Sequence, residues 1–237
     1  MAQVNLYSIN MAKIFLQSSY IFLIVLALSI QSAVCMQPAH NFSDKSVADL
    51  MMLLQNKDPQ IRQCAAIFLG VRYKNPKSVL PDEPVLKPNS PSPELPLPPV
   101  VIPSLAKLLE SDTNIEVRLC SLAALENLRY TTNTTPILQN NLTNNLTLIR
   151  LRASQSLIKI SKQYNEPLPD QVIPTLISCL NPKEDPDEIW QAAYTVGNMG
   201  ASAKAAIPAL EQLKTHSSKK VRTYATEALA KVDVKKS

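Results

Sequence analysis

The chain has 237 residues and a net charge of +5, with three glycines, Gly70, Gly197 and Gly200, against nineteen prolines. So few glycines argue against phosphate-cradling loops, dense β-turns and dinucleotide-binding units, which need glycine where the backbone turns tightly or approaches a ligand. An all-α chain is the simplest reading.

In chain order, "IFLIVLALSI" at 21–30 is a short apolar core behind Lys13 and ahead of the small residues of "QSAVCMQPAH". It is short for a membrane span and reads as a signal peptide over residues 1–35, cut after Cys35 with Ala33 and Cys35 as the small flanking pair. A start at Met11 would give it a conventional positive n-region. An uncleaved anchor over 14–33 and lipidation at Cys35 are the alternatives; Val34 stands against the second, where a small residue is needed. Removing 1–35 takes away Lys13 and leaves 23 basic and 19 acidic side chains, a net of +4, with three cysteines. An odd number in an exported chain implies at least one free thiol.

After a segment at 36–46, residues 47–73 carry a pair of apolar helical patterns. The stretch 74–100 follows, with nine prolines in 27 residues. Such a segment cannot be helix and favours polyproline II; it reads as a spacer or loop in preference to a proline-rich recognition ligand. Since one hairpin cannot bury its stripe alone, the first pair is expected to dock on the second, with the insertion looping outward.

From 101 to 233 a pattern recurs. "IPSL", "TPIL", "IPTL" and "IPAL" place Pro103, Pro136, Pro174 and Pro208 at the start of apolar runs. A first-turn proline loses no hydrogen bond there, so each marks where a helix A begins. Each is followed by a stripe at i, i+4, i+8: Val117/Ser121/Leu125, Ile149/Ala153/Leu157, Ile189/Ala193/Gly197 and Val221/Ala225/Leu229. Ile61/Ala65/Leu69 repeats it without the proline. A small residue in mid-stripe admits a neighbouring helix closely, so these are the helices B. Asp58-Pro59 and Asp185-Pro186 read as helix-B starts, and Asp185 with Glu188 and Thr113 with Glu116 read as capping boxes. The result is five helical hairpins and a basic tail at 234–237.

"AIPAL" at 206–210 followed by "VRTYATEAL" at 221–229 resembles HEAT repeats of the phycobilisome-lyase type, over roughly 47–233. The resemblance implies a right-handed α-solenoid with helices A outside and helices B lining a concave surface. It also implies that Arg62, Arg118, Arg150 and Arg222, each next to the β-branched residue of its stripe, pair with acidic residues near the A-to-B turns in a ladder.

Unit four has Trp190 in the arginine slot and Tyr194 one turn on. These form a candidate aromatic anchor for a protein partner, flanked by Arg150 and Arg222; the alternative is that they fill space left by Gly197 and Gly200. Residues 201–237 hold eight basic and three acidic side chains. Lys219, Lys220, Lys235 and Lys236 therefore make either a basic patch for an anionic surface or a solvated capping face.

His40 and His216 lie in no metal-spaced or catalytic motif, so no enzyme activity, metal or cofactor is expected. Cys64, Cys120 and Cys179 read as buried free thiols in preference to a disulfide bridge, Cys64 and Cys120 standing about a helix spacing apart on stacked units. Asn41, Asn133, Asn141 and Asn145 head glycosylation sequons. The expectation is an exported, non-catalytic scaffold binding a protein on its helix-B face, in a periplasm, a thylakoid lumen or secreted. N-terminal membrane anchoring is the alternative. A lyase-like chaperone presenting a chromophore or subunit, and an anionic-surface binder, are the other readings; nucleic acid is not expected.

Overall fold

The computed structural model describes residues 42–73, 97–128 and 134–233, and among these there is no strand. The signal-peptide reading, His40, Asn41, Asn133, most of the proline-rich insertion and the basic tail lie outside the described residues. Five helix pairs follow one another: α1 (Val47–Leu53) with α2 (Pro59–Arg72), α3 (Val101–Ser111) with α4 (Ile115–Leu128), α5 (Thr135–Asn140) with α6 (Thr147–Tyr164), α7 (Val172–Ser178) with α8 (Pro186–Met199), and α9 (Ile207–Leu213) with α10 (Lys219–Val232). This is the α-solenoid of HEAT-like hairpins. The helices B stack in chain order, α2 on α4, α4 on α6, α6 on α8 and α8 on α10.

The prolines sit where their missing N–H costs nothing. Pro136 and Pro208 fall in the first two helical positions of α5 and α9, and Pro103 and Pro174 are third in α3 and α7. Helix-B starts are capped locally. Asp58 accepts from the Gln60 N–H and Asp185 from the Asp187 N–H, each ahead of a proline. The α4 cap is Asn114 rather than Thr113: its Oδ1 accepts from the N–H groups of Glu116 and Val117. A capping box forms in α1, between Ser46 and Asp49.

The stripe residues are the core. Of the five sets, all are buried except Ile61 and Leu229, which are half-buried in the first and last units, where one neighbour is missing. Each fully buried leucine, such as Leu69, Leu125 or Leu157, stabilises the stack by about 2–3 kcal/mol. Unit one docks on unit two as expected. A Cβ built at Gly70 of α2 would lie 2.7 Å from the Ala124 Cα of α4, while Phe42, ahead of α1, stacks on Phe68 of α2 at 5.8 Å and covers the free end of the first unit.

The arginines close loops. The Nη1 of Arg62 donates to the carbonyls of Asn56 and Lys57, that of Arg150 to Asn144 and Asn145, and that of Arg222 to His216 and Ser217, always six and five residues back. Arg118 instead reaches the Leu109 carbonyl. The same side chains extend to the next unit's loop. Arg62 binds Asp112 through two bonds of 2.7 and 2.8 Å, Arg118 binds the Asn144 amide oxygen at 3.2 Å, and Arg150 lies 3.7 Å from Glu184. Thr147 joins that last pair, accepting from Arg150 and donating to Glu184 at 2.7 Å. The ladder thus has an amide at its second rung where an acid was expected.

Candidate functional site

The residues singled out in the sequence fall into two groups. Arg150 and Arg222 each give Nη1 to two carbonyls of their own loop, so loop closure, not the flanking of a binding anchor, is the role their contacts display. Trp190 too is held within the fold. It is only 6% exposed. Its indole N–H donates to Asp187 at 2.8 Å, its ring lies 4.9 Å from Tyr224 of α10, and Lys220 sits 3.8 Å above it. Trp190 joins α8 to α10 rather than facing a ligand. Nor does it fill space beside Gly197: Ala228 of α10 occupies that place, 3.0 Å from where a Cβ would stand. Sequence gave no sign of this because the partner ring, Tyr224, belongs to the next unit.

Tyr194 is half-buried and meets Tyr224 edge-on at 6.0 Å, with Lys231 5.8 Å from its ring. Burial, followed by Glu227 and Tyr194, raises the Tyr224 phenol above its ordinary range. Of the basic patch, Lys219 is exposed, Lys220 pairs with Asp187 at 3.6 Å beneath its contact with Trp190, and Lys235 and Lys236 lie outside the described residues.

The other candidates are placed as follows. Burial pushes the free Cys120 thiol up to about 11 and also raises free Cys179, so neither is poised as a nucleophile. Cys64 is not a free thiol: it is disulfide-bonded. Asn141 is 3% exposed and its amide donates to the Ile137 carbonyl, so it does not present an acceptor for a glycan, whereas Asn145 is exposed. His216 is bound within its loop, its Nδ1 accepting from the Ser218 N–H. Among the described residues no cluster of His, Cys, Asp or Glu could hold a metal, and no helix is long and apolar enough to cross a membrane.

The feature that sequence reasoning missed lies between α6 and α8. A groove of 530 Å³ runs there, with Arg152, Gln155, Ile158, Lys159, Lys162 and Gln163 on the α6 wall and Tyr194, Thr195, Asn198 and Met199 on the α8 wall. Helix length produces it. Gln155 of α6 is level with Thr195 of α8, to which it is hydrogen-bonded; beyond that point α6 runs on to Tyr164 and α8 only to Met199, so the last turn of α6 continues past the point where α8 stops. α8 stops at Gly200, whose φ of 58° and ψ of −138° turn the chain away, a conformation costly for any residue with a Cβ. Between the helices a polar relay forms the floor. Arg152 donates to Gln155, Gln155 to Thr195, and Thr195 to the Gln191 carbonyl, at 3.0, 2.9 and 2.8 Å. At the rim, Lys159 is held by Glu126 of α4, which also accepts from Ser156. The available signal was the spacing of Arg152, Lys159 and Lys162, which places three cations on one helix face.

No protein-family model matches the chain, and no curated protein matches its sequence. Among solved structures it is similar to an engineered protein (20% identity, 79% of each chain covered, TM-score 0.45). It is also similar to a designed armadillo repeat protein in complex with the peptide (KR)4 (17% identity, 79% of this chain and 82% of that one, TM-score 0.49). A third similarity is to the complex of CpcE and CpcF of phycocyanin lyase from Nostoc sp. PCC7120 (20% identity, 84% and 70%, TM-score 0.49). With its five stacked hairpins, first-turn prolines and loop-closing arginines, the described part of the chain has a HEAT-like helical-repeat fold.

Proposed function

We propose that the protein is an exported, non-catalytic binding protein that holds a protein partner on its helix-B face, centred on the groove between α6 and α8. The observation that carries this reading is the groove itself. It is a recess with half-buried apolar surface at Ile158, Tyr194 and Met199 beside polar groups set by the relay, a mixture suited to fixing a peptide chain by both contact and hydrogen bonding. The absence of a catalytic grouping in the sequence supports a binding role over chemistry.

The test is capture of partners from the native extracytoplasmic fraction by the mature protein, read by mass spectrometry. Wild type is compared with a Tyr194→Ala/Asn198→Trp variant that removes the ring and fills the groove, and with Glu211→Lys on a helix A. A protein lost only in the groove variant supports the reading. Equal capture by all three forms would sink it. N-terminal sequencing of the protein from its producing cell tests export, with a new N-terminus beyond the apolar 21–30 segment expected.

A further inference from the structure

We propose that the groove between α6 and α8 takes an extended acidic segment of a partner protein, with carboxylates at alternate positions facing α6 and apolar side chains between them facing α8. The inference rests on the protein-binding reading above and specifies its ligand.

Charge comes first. The α6 wall presents Arg152, Lys159 and Lys162, and among the described residues no carboxylate lines the groove. Glu126 offsets Lys159 from the α4 side. Arg152 gives one N–H to Gln155 and keeps the rest of its guanidinium for a ligand, while Lys162 is exposed on the turn that α8 leaves uncovered. Lys231 of α10 adds a fourth cation beside the opposite wall, donating to Asn198 at 3.3 Å. The recess therefore attracts negative charge, and its partly apolar walls strengthen each pairing relative to open solvent.

Spacing comes second. Arg152 and Lys162 lie about 15 Å apart along the helix axis. On an extended chain, side chains on one side recur about every 7 Å, so three successive ones span about 14 Å. Acidic residues at positions one, three and five would meet that wall. The intervening residues would turn to the α8 wall, where Tyr194 and Met199 are half-buried. A helix would not alternate in this way, and duplex nucleic acid is too wide for a recess between neighbouring helices.

The experiment measures anisotropy of fluorescein-labelled peptides of about ten residues with the mature full chain. One peptide alternates Glu with Leu and Tyr, a second has Gln for Glu, and a third has Lys for Glu. The expected result is binding of the Glu peptide about tenfold tighter than the Gln peptide, with that preference lost in Arg152→Gln/Lys162→Gln. In Arg152→Glu/Lys162→Glu the preference should turn to the Lys peptide. Circular dichroism of each variant checks that the fold is intact, and a Lys219→Gln/Lys220→Gln variant serves as control.

Equal binding of the Glu and Gln peptides, still sensitive to Tyr194→Ala, overturns the acidic ligand but leaves the groove reading in place. Glu-peptide binding that depends on Lys219 and Lys220 instead of Arg152 and Lys162 overturns the site. Displacement of the Glu peptide by a single-stranded oligonucleotide at lower concentration than by the unlabelled peptide, with the same dependence on Arg152 and Lys162, overturns the protein ligand in favour of nucleic acid.

Discussion

Helix α8 has a neighbour on either side, and the two junctions are built differently. Toward α10 it presents Gly197, which lets Ala228 approach, and Trp190, which is sealed by Tyr224 and Lys220. Toward α6 it presents Thr195, which meets Gln155 through a side-chain hydrogen bond instead of close backbone packing, and it ends a turn before α6 does. In a stack where stability is close to a sum over units and their interfaces, one junction can be closed for strength and the adjacent one left open for a ligand. The α2 and α4 pair at the other end, with Gly70 against Ala124, is of the closed kind.

Trp190→Ala tests that contrast with the largest expected effect, a loss of about 3–5 kcal/mol in a denaturant titration, because the residue is buried against the next unit. Hydrogen exchange should show the loss concentrated in α8 and α10; protection lost equally in α2 and α4 would break the idea of separable junctions. Gly70→Val comes next, at about 2–3 kcal/mol by thermal unfolding, since its Cβ would meet backbone at 2.7 Å. A neutral result would mean that α2 and α4 can slide apart cheaply.

Asp112→Asn should cost about 2 kcal/mol at neutral pH, from a weakened pairing with Arg62. Burial alone would raise the Asp112 carboxyl, but the bonds from Arg62 and the Asn114 N–H outweigh it and hold the carboxyl below its ordinary range. A depressed folded value stabilises the fold above the unfolded carboxyl range, near about pH 4, and this contribution disappears as pH falls through the folded value. The gap between wild type and Asp112→Asn should therefore narrow on acidification in paired urea titrations. Gln155→Leu has the smallest expected effect on stability, about 1 kcal/mol, because the two hydrogen bonds it breaks, from Arg152 and to Thr195, are only part-buried. A loss as large as that of Trp190→Ala would show that the groove floor is structural after all.

The hairpins were legible because they are written in local rules. A first-turn proline, a capping aspartate and a stripe at four-residue spacing each act within one or two helices, and Pro208, Asp58 and Ile149/Ala153/Leu157 all sit in the structure as those rules require. Thr113 was misplaced as a cap by one residue, since Asn114 competes for the same N–H groups and reaches them. The site was much less legible. Trp190 looked like an anchor because its slot breaks the arginine pattern, but its contacts are made by Tyr224 and Lys220, in the next unit. The groove depends on where α6 and α8 end relative to each other. Neither Asn165, which ends α6 in a left-handed turn, nor Gly200 discloses that difference by itself.

The arginine ladder also has a direction in time. Each guanidinium is made before the group that completes it: Arg62 precedes Asp112 by 50 residues, and Arg118 precedes Asn144 by 26. A chain emerging from the ribosome can close each loop on its own carbonyls at once, but it locks one unit to the next only when the following loop has appeared. The ladder is therefore fastened from the first repeat onward, and units one to three are each completed by the loop of the unit that follows.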